Sequence, residues 1–502
     1  MLDGIIDIIT KINDFVNGIV WGWPIIILIL ATGLLLSVRT KFLQAAKFKE
    51  SLCTTIVPTV KGLGKKKSRN TKGGSVSQFE AFATAISGTV GTGNIVGVIS
   101  AILTGGPGAV LWMWISAFFG MVTNYSENVL GLYFRKKNKK GELSGGPFYY
   151  IAYGLKWRWL AYVAAVFCLL ASVGMSGVQT NKISGTVSGA LDKAIGFEDL
   201  GTVKLIIGII IAVTAGIIII GGIKRIGRIA SMLVPFMSLL FITMSLIAVG
   251  MHIENVPEAF RLIFAKAFTF EAAGGGILGY TFATVIRKGM ARGVFSNEAG
   301  LGSSVIAHSA SETREPVKQG LWGVFEVFFD TFIICTLTSL TFLTTFDLSS
   351  FTGHEDDSLM ALKMFETNFG GFGVAAYSVI LPLFAFTTIL AWSYYGEKAV
   401  EFVFQKLGDK GRSTAVIVFK GIYIVLIVFS CRITGDLIWA IDDTFNGLMA
   451  VPNLICLVAL SGLVGKITKN YFDRKKGKKL EPMLSAYPDL NEEFKQELAE
   501  ES

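Results

Sequence analysis

The chain has 502 residues, of which 52% are hydrophobic and only 17% are charged, and its formal net charge is +9. Its mean hydropathy is +0.57. Soluble domains carry about 25% charged residues, so this composition excludes an ordinary soluble protein. Apolar runs of about 20 residues recur, and such runs match the thickness of a bilayer when they are helical. The short alternating strands of a membrane β-barrel are not evident in the sequence. The composition therefore predicts an all-α polytopic membrane protein.

The apolar runs predict eleven transmembrane helices. In chain order they cover about residues 20–38, 79–104, 108–133, 157–181, 203–222, 229–251, 272–298, 317–345, 371–395, 414–433 and 437–464. The five cysteines and three histidines share no pairing or ligand spacing. We therefore predict no disulfide framework, no metal cluster and no cofactor. The same counts give no positioned nucleophile or metal set, which argues against an enzyme.

Basic residues predict the orientation of the spans. Ten Lys and Arg residues lie between the first two spans, against the single acidic residue Glu50. With eleven spans, the basic segments 135–140, 223–228, 397–412 and 466–479 fall on the same side as that loop, and the acidic segments 197–200 and 347–357 fall opposite. Basic loops stay cytoplasmic. We expect a plasma (inner) membrane protein with its N-terminus outside and its C-terminus in the cytoplasm. The basic excess then reflects the topology of the chain in the lipid bilayer, and no nucleic acid is expected as a partner.

The ten later spans divide into two sets of five, and the first member of each set is interrupted by glycine. The interruptions are "SGTVGTGN" (87–94) and "EAAGGGILGY" (271–280). A repeat of five spans must be inverted in the membrane, and matching broken helices mark a transporter site at the midplane. The predicted units are 1–78 (an extra helix and basic loop), 79–251 and 252–464 (the two repeats), and 465–502 (a cytoplasmic tail). Close packing between helices is the alternative role for such glycines.

An unwound segment inside a membrane is useful to a ligand because its backbone groups are free. Unpaired backbone groups in hydrocarbon cost several kcal/mol each, so irregular backbone survives only when it is buried in protein or lines a cavity. Free carbonyl groups suit a small hard cation. The N–H groups at the start of the following half-helix suit a carboxylate. One break can therefore hold a cation and an anionic group side by side.

Five motifs give the chain a specific resemblance. They are "GTVGTGNIVGV" (88–98), "GGPGAVLWMW" (105–114), "GGPFYYI" (145–151), "RGVFSNEAGLGS" (292–303) and "FAFTTILAWSYYGE" (384–397). In this order they resemble the alanine or glycine:cation symporter family, and the likeness extends over nearly the whole chain. The resemblance implies a LeuT-type five-plus-five inverted repeat with one extra N-terminal helix. It also implies sodium-driven import of alanine or glycine, with sodium as the coupling ion.

The resemblance further implies roles for individual residues. A sodium ion would be bound by the carbonyl groups of Ser87 and Val90 and by the hydroxyl groups of Thr387 and Thr388. The substrate would be bound by Gly93, Asn94, Gln179 and Thr388, and a second break would be formed by Gly274, Gly275 and Gly276. In this assignment the Gly93 N–H and the Asn94 side chain hold the substrate carboxylate, and Gln179 accepts from its ammonium group.

Trp392 follows Thr388 by four residues, so both project from one face of the same helix. If Thr388 faces the cation, the Trp392 indole lines the same cavity and restricts the substrate to glycine or alanine. Local alternatives exist for each of these side chains. The threonine hydroxyl groups can bond to their own helix, Gln179 can join two helices, and Trp392 can simply pack among helices.

Three carboxylates lie inside predicted spans, where acidic residues are functional candidates. They are Glu127, Glu326 and Asp330. They either relay protons or pair with Arg287 or Arg292, and we favour ion pairs because no chain of titratable groups leads to either face. Three function classes remain: a sodium-coupled symporter, a proton-coupled transporter of another small neutral amino acid, and an ion channel. Two unlike broken helices favour alternating access over a channel, whose pore would need a symmetric ring or a carbonyl filter.

Overall fold

Helices make up nearly all of the structure, a computed structural model that describes residues 2–61, 75–138, 141–196, 199–268, 281–348, 351, 355–433 and 435–500. The first group precedes the predicted repeats and comprises α1 (Leu2–Val20), α2 (Trp23–Thr40), α3 (Leu43–Ala46), α4 (Phe48–Thr54) and α5 (Ile56–Lys61). A proline in its first turn starts α2, and Lys41 ends it in the left-handed conformation. The predicted first span, 20–38, thus corresponds to α2.

The region predicted as the first repeat contains seven helices. They are α6 (Gln78–Thr89), α7 (Val96–Gly105), α8 (Ala109–Tyr133), α9 (Pro147–Tyr149), α10 (Arg158–Ile195), α11 (Leu200–Ile220) and α12 (Gly222–Met251). A 3-10 turn, Thr92–Asn94, joins α6 to α7, and a π-helical turn, Tyr150–Gly154, follows α9. Between α8 and α9, strands β1 (Lys136–Lys137) and β2 (Leu143–Ser144) form a short antiparallel hairpin.

The region predicted as the second repeat and the tail contains the remaining helices. They are α13 (Val256–Lys266), α14 (Phe282–Asn297), α15 (Ser304–His308), α16 (Pro316–Val327), α17 (Thr336–Thr345), α18 (Asp357–Val403), α19 (Gly408–Ser430), α20 (Gly435–Lys475) and α21 (Pro488–Glu500). The π-helical turn Phe328–Cys335 connects α16 to α17 without a break in the chain direction. Gly370 kinks α18 near its start.

Eight helical segments in the described residues are long and apolar enough to cross a membrane, and α6 with α7 form a ninth that bends by 58° at its break. The count of eleven is therefore not confirmed. Two further predicted spans are helical but differ in character. The span 108–133 is α8, whose second half carries Asn124, Glu127 and Asn128, and α14 has only 16 residues.

The packing of α11 shows why these helices suit lipid. Its small residues, Gly208, Ala212 and Ala215, are buried, and the helix packs against α19. Most of its large aliphatic residues face outward, as Ile217 does at 58% exposed, while Ile211 and Ile219 are buried. In lipid there is no hydrophobic force between helices, so small residues form the contact and large apolar residues face the acyl chains.

Two helices are broken in the middle of the bundle. In the first, α6 begins with a capping box between Ser77 and Glu80 and ends at Val90, whose backbone is no longer helical. In the second, α14 ends at Asn297 and α15 begins at Ser304. The half-helix α6 packs against α15, and α7 packs against α14. The first half of each broken helix therefore lies beside the second half of the other, as an inverted repeat requires.

A second break in the described residues follows α14. Gly274, Gly275 and Gly276 lie outside the described residues. The described chain is interrupted at 298–303, where Glu298, Gly300 and Gly302 have φ values of 55°, 96° and 77°. Positive φ is accessible to glycine at little cost, whereas Glu298 must be held there by its surroundings. The broken helix thus runs from Phe282 to His308 in the described residues, rather than over 272–298.

The C-terminal tail folds back onto the bundle. The backbone N–H of Ala486 donates to the Tyr133 carbonyl group over 2.8 Å. Phe494 of α21 is buried with Leu143 of the hairpin, and the Arg135 guanidinium lies 5.1 Å from the centre of its ring. An isolated helix of about 13 residues is marginal in water, so α21 depends on this contact with the end of α8.

Candidate functional site

Gly91, in the first break, is where four helices meet. Its N–H donates to Asn94 Oδ1 over 2.9 Å. A Cβ placed on Gly91 would lie 2.7 Å from the Thr388 hydroxyl oxygen of α18 and 3.5 Å from the amide group of Gln179 of α10. Any larger residue would therefore push these two side chains away from the break. The glycine in the motif is explained by close approach, and the approach is to polar groups.

Three of the four residues implied for sodium lie together. The Thr388 hydroxyl shares its hydrogen between the Ser87 carbonyl oxygen at 2.9 Å and the Phe384 carbonyl oxygen of its own helix at 3.0 Å. Val90, three residues after Ser87, ends the helix. Thr387 points elsewhere. Its hydroxyl bonds to the carbonyl groups of Leu383 and Phe384 in its own helix, and it lies 3.6 Å from the sulfur of Met237 in α12.

The residues implied for the substrate also border this break. The Gln179 Oε1 atom accepts from the N–H of Thr92 over 3.3 Å. Gly93 lies against the Phe295 ring, since a Cβ there would come within 3.3 Å of two ring carbon atoms. The Phe295 ring stacks on Trp439 of α20 at 5.6 Å. The Arg292 guanidinium lies over both rings, at 5.4 Å and 5.1 Å from their centres. These groups cover one side of the break.

Asn94 joins the two broken helices to the π-helical turn 328–335. Its Nδ2 donates to Asp330 Oδ1 over 2.5 Å and to the Ser296 hydroxyl over 2.9 Å. Ser296 in turn donates to Asp330 Oδ2 over 2.8 Å. All three side chains are buried. The amide hydrogens of Asn94 are thus engaged with protein groups, so it fixes the shape of the break.

Trp392 lies at the second break. Its indole N–H donates to Glu298 Oε1 over 3.0 Å, and the Ser303 hydroxyl donates to the other oxygen of Glu298. A Cβ on Gly88 would lie 2.8 Å from the Tyr395 hydroxyl and 3.3 Å from Glu298 Oε1. Trp392, completely buried, therefore sits between the two breaks, one turn beyond Thr388.

The intramembrane carboxylates are paired, but with other partners than the arginines. Glu127 accepts from the N–H of Gly300 over 3.0 Å and from Asn453 over 2.5 Å. Glu326 lies 2.6 Å from His308 Nε2. The proposed pairs with Arg287 and Arg292 are therefore wrong for the described residues. Arg292 instead faces Asp443 at 3.8 Å, where aromatic rings flank it.

Several residues of the site escaped sequence reasoning. They are Ser296, His308, Tyr395, Asn453 and the π-helical turn 328–335. Two signals were available. The motif "RGVFSNEAGLGS" contains both Ser296 and the second break. A buried acid such as Asp330 needs nearby donors, since burying an unpaired charge is costly, and asparagine and serine supply them without adding charge.

Comparison with solved structures identifies the fold. The structure resembles the crystal structure of MhsT in complex with L-phenylalanine with a TM-score of 0.52 and 14% sequence identity, and the match covers 79% of this chain and 99% of that chain. This likeness establishes the fold alone: the chain has the inverted-repeat architecture of LeuT-type transporters.

The sequence then identifies the family. The chain belongs to the sodium:alanine symporter family, whose model matches residues 6–485. It is 37% identical over 478 residues to the sodium/alanine symporter AgcS of Methanococcus maripaludis, covering 94% of this chain and 98% of that protein. It is 34% identical over 472 residues to a probable sodium/glutamine symporter, GlnT of Bacillus subtilis, covering 94% and 92%. The chain is a multi-pass membrane transporter for cation-coupled amino-acid transport, in a family of transporters rather than enzymes.

Proposed function

We propose that the chain is a sodium-coupled symporter that imports alanine or glycine by alternating access. The observation that carries this proposal is the meeting of Thr388, Gln179 and the backbone of the first break at Gly91. This arrangement places hydroxyl and carbonyl oxygen atoms next to an amide that can accept from an ammonium group. A small zwitterion and a monovalent cation need that combination of groups. The AgcS relative, a sodium/alanine symporter, supports the same substrates.

Sodium would be bound by the carbonyl groups of Ser87 and Val90 and by the Thr388 hydroxyl. These groups supply oxygen ligands without a full negative charge. In the structure the Thr388 hydroxyl donates to the Ser87 carbonyl group. A cation between them would take over both oxygen atoms, and the hydroxyl hydrogen would turn away. The ion would thereby join α18 to α6 across the break, which couples its binding to the position of α18.

The substrate carboxylate would face the N–H groups that precede α7, including that of Gly93, where the positive end of the helix dipole favours an anion. Its ammonium group would face Gln179 Oε1, whose second lone pair remains usable while the first accepts from Thr92. Trp392 would limit the side chain of the substrate. For the membrane orientation we propose an outside N-terminus and a cytoplasmic C-terminus, on the strength of the basic segments.

Uptake into proteoliposomes tests the function. With purified protein and labelled alanine, we expect accumulation only when an inward sodium gradient is present, and unlabelled alanine and glycine should compete better than glutamine. Replacing the sodium gradient with an equal gradient of choline chloride is the control. Accumulation driven by a pH gradient without sodium would contradict the proposal. Stronger competition by glutamine than by alanine would indicate that the substrate is glutamine, as the name of the GlnT relative suggests for that protein.

Thr388→Ala tests the sodium site. Loss of one oxygen ligand of the ion is expected to raise the sodium concentration for half-maximal alanine uptake by about tenfold, which corresponds to about 1.4 kcal/mol. The matched control is Thr387→Ala, the adjacent residue, whose hydroxyl bonds within its own helix. We expect this variant to shift the sodium requirement by less than about threefold. A larger shift for Thr387→Ala than for Thr388→Ala would mean that Thr387, and not Thr388, binds the sodium ion.

A further inference from the structure

Asp442 of α20 is a carboxylate that the transport site does not use. Its side chain is completely buried. Neither carboxylate oxygen accepts a hydrogen bond of ordinary length and angle among the described residues, although the Asn446 amide lies close enough to interact with the carboxylate. Asn446 follows one turn later on the same helix and is also completely buried. Its Nδ2 donates to the Asp442 backbone carbonyl over 3.1 Å, while its Oδ1 lacks a partner in the same described set. Three acceptor atoms thus lie on one face of α20 without a hydrogen bond of ordinary geometry.

Such a group is too costly to be an unpaired anion. A buried carboxylate without a partner loses its hydration and gains nothing in return, and inside a membrane such residues are expensive and functional. Asp442 therefore either binds a cation or binds a proton. The surroundings distinguish the two, because a metal ion needs several converging oxygen atoms and a proton needs only one further acceptor.

The charged and titratable groups around Asp442 come from its own helix and from three other parts of the chain. Asp443 is the next residue of the same helix. Arg292 of α14 lies 3.8 Å from Asp443 and contacts two aromatic rings. Glu298 of the second break and Tyr423 of α19 also act on Asp442 electrostatically. The nearest part of α10 is Gly174, where a Cβ would lie 2.8 Å from Asp442 Oδ1. Two of these neighbours are acidic, and Arg292, the one cation among those named, is already paired.

We propose that Asp442 is a proton-binding site and that its protonation holds α20 against α10. A proton on one carboxylate oxygen supplies the missing donor, which can reach Asn446 Oδ1 because residues four apart share a helix face. Two unpaired acceptors are satisfied at once, and the carboxyl group becomes neutral where it faces Gly174. Among the described residues, Asp442 and Asn446 contribute three side-chain oxygen atoms without a partner, fewer than the four or more oxygen ligands that we would expect around a sodium ion.

The position of this contact gives protonation a role in transport. Helix α10 carries Gln179, which binds the first break, and α20 carries Trp439, which stacks on Phe295 above Gly93. When Asp442 loses its proton, an unpaired charge lies between the two helices and favours their separation. The group is protonated at low pH and ionised at high pH, so the packed form is lost as pH rises. The test of this inference by alanine uptake rests on the proposed transport function.

Asp442→Asn tests the proposal, because asparagine has the shape of the protonated acid and cannot ionise. In proteoliposomes with saturating sodium, wild-type alanine uptake is expected to fall at least tenfold, in round terms about 1.4 kcal/mol or more, as pH is raised from about 6 to about 9. Uptake by Asp442→Asn should be flat over that range. The control Asp443→Asn changes the adjacent acid and leaves Asp442 ionisable, so uptake should still fall as pH rises, with the transition moved toward lower pH because a neighbouring negative charge is gone. A pH dependence that survives in Asp442→Asn would overturn the proposal.

Two further measurements separate the possible failures. If Asp442 were a sodium ligand, Asp442→Asn would raise the sodium concentration for half-maximal uptake and leave the pH profile unchanged, which contradicts proton binding. Fluorescence of Trp439, obtained as the difference between wild type and Trp439→Phe in detergent, should change with pH and stop changing in Asp442→Asn. This signal requires no transport, so its presence without sodium-driven alanine uptake would reject the proposed function and keep the proton site. Its absence in a wild-type protein that transports would reject the proton site alone.

Discussion

Asn94→Asp is expected to reduce sodium-driven alanine uptake by at least about 100-fold. The substitution preserves the size of the side chain and the acceptor for the Gly91 N–H. It replaces the amide that donates to Asp330 over 2.5 Å with a second carboxylate. Disruption of a buried charged hydrogen bond costs about 3–5 kcal/mol, and each 1.4 kcal/mol is about tenfold in an equilibrium constant. The break between α6 and α7 should lose its shape.

The double variant Asn94→Asp with Asp330→Asn separates two roles for Asn94. It exchanges the amide and the carboxylate, so the hydrogen bond between the two side chains can form again in the opposite sense. If Asn94 acts by fixing the break, the double variant should recover uptake by at least about tenfold over Asn94→Asp, as coupled neighbours do in a double-mutant cycle. If Asn94 binds the substrate carboxylate directly, the exchange places a negative charge next to it. The double variant would then remain as inactive as the single one.

Protein amount and folding must be matched for this comparison. Each variant should elute as a single species in gel filtration before reconstitution. Ser296→Ala serves as a milder control, because it removes one donor to Asp330 and leaves the Asn94 contact in place. We expect it to lose less activity than Asn94→Asp. Wild-type uptake by Asn94→Asp would show that the contact with Asp330 does not matter for transport.

The sequence predicts the helices well because their signal is local. Apolar length and basic segments mark each span without any knowledge of what it packs against. The signal for the first break is also local, since three glycines with threonine and asparagine leave few helix-forming residues between Ser87 and Asn94. The number of transmembrane spans is harder to predict where polar residues lie within a span, as Glu127 and Asn128 do in α8.

The second break could not be located from composition. Three consecutive glycines at 274–276 give the stronger local signal and lie outside the described residues, whereas the break in the described chain is at 298–303. There Glu298 adopts a φ of 55°, which a glutamate does not favour on its own. Contacts with Trp392 and Ser303 hold it in place. Trp392 is 94 residues away in sequence, so tertiary contacts, rather than local propensity, determine where this helix ends.

The partners of the buried acids were also beyond local reasoning. Charge complementarity suggested arginine, but neutral donors and a histidine provide the contacts. Asn94 and Asp330 are 236 residues apart, and Asn453 and Glu127 are 326 apart. Only the tertiary packing of the helices brings such pairs together. The family resemblance placed Ser87, Thr388 and Gln179 at one break because it carries this three-dimensional information, and it named Thr387 alongside Thr388 although the two side chains point to different helices.

Trp392→Ala is expected to change which amino acids compete with alanine. The indole is completely buried between the two breaks, one turn from Thr388, and it fills the space that a longer substrate side chain would need. An extra methylene in an apolar pocket is worth only about 1–3 kcal/mol, so exclusion of larger substrates must come from lack of room. Removing the indole should admit serine, valine and leucine and weaken binding of alanine, which loses its contact.

Trp392→Phe separates the volume of the side chain from its hydrogen bond. Phenylalanine keeps most of the ring but leaves Glu298 Oε1 without the donor that now lies 3.0 Å away. Leaving a buried acceptor unsatisfied costs about 1–3 kcal/mol, so this variant should transport alanine about tenfold more slowly while still rejecting valine and leucine. Trp392→Ala loses both features, and of the two variants it alone should accept larger amino acids. Competition by unlabelled amino acids against labelled alanine measures both effects. The same rank order of competitors in wild type and Trp392→Ala would mean that the indole stabilises Glu298 at the second break and does not line the substrate site.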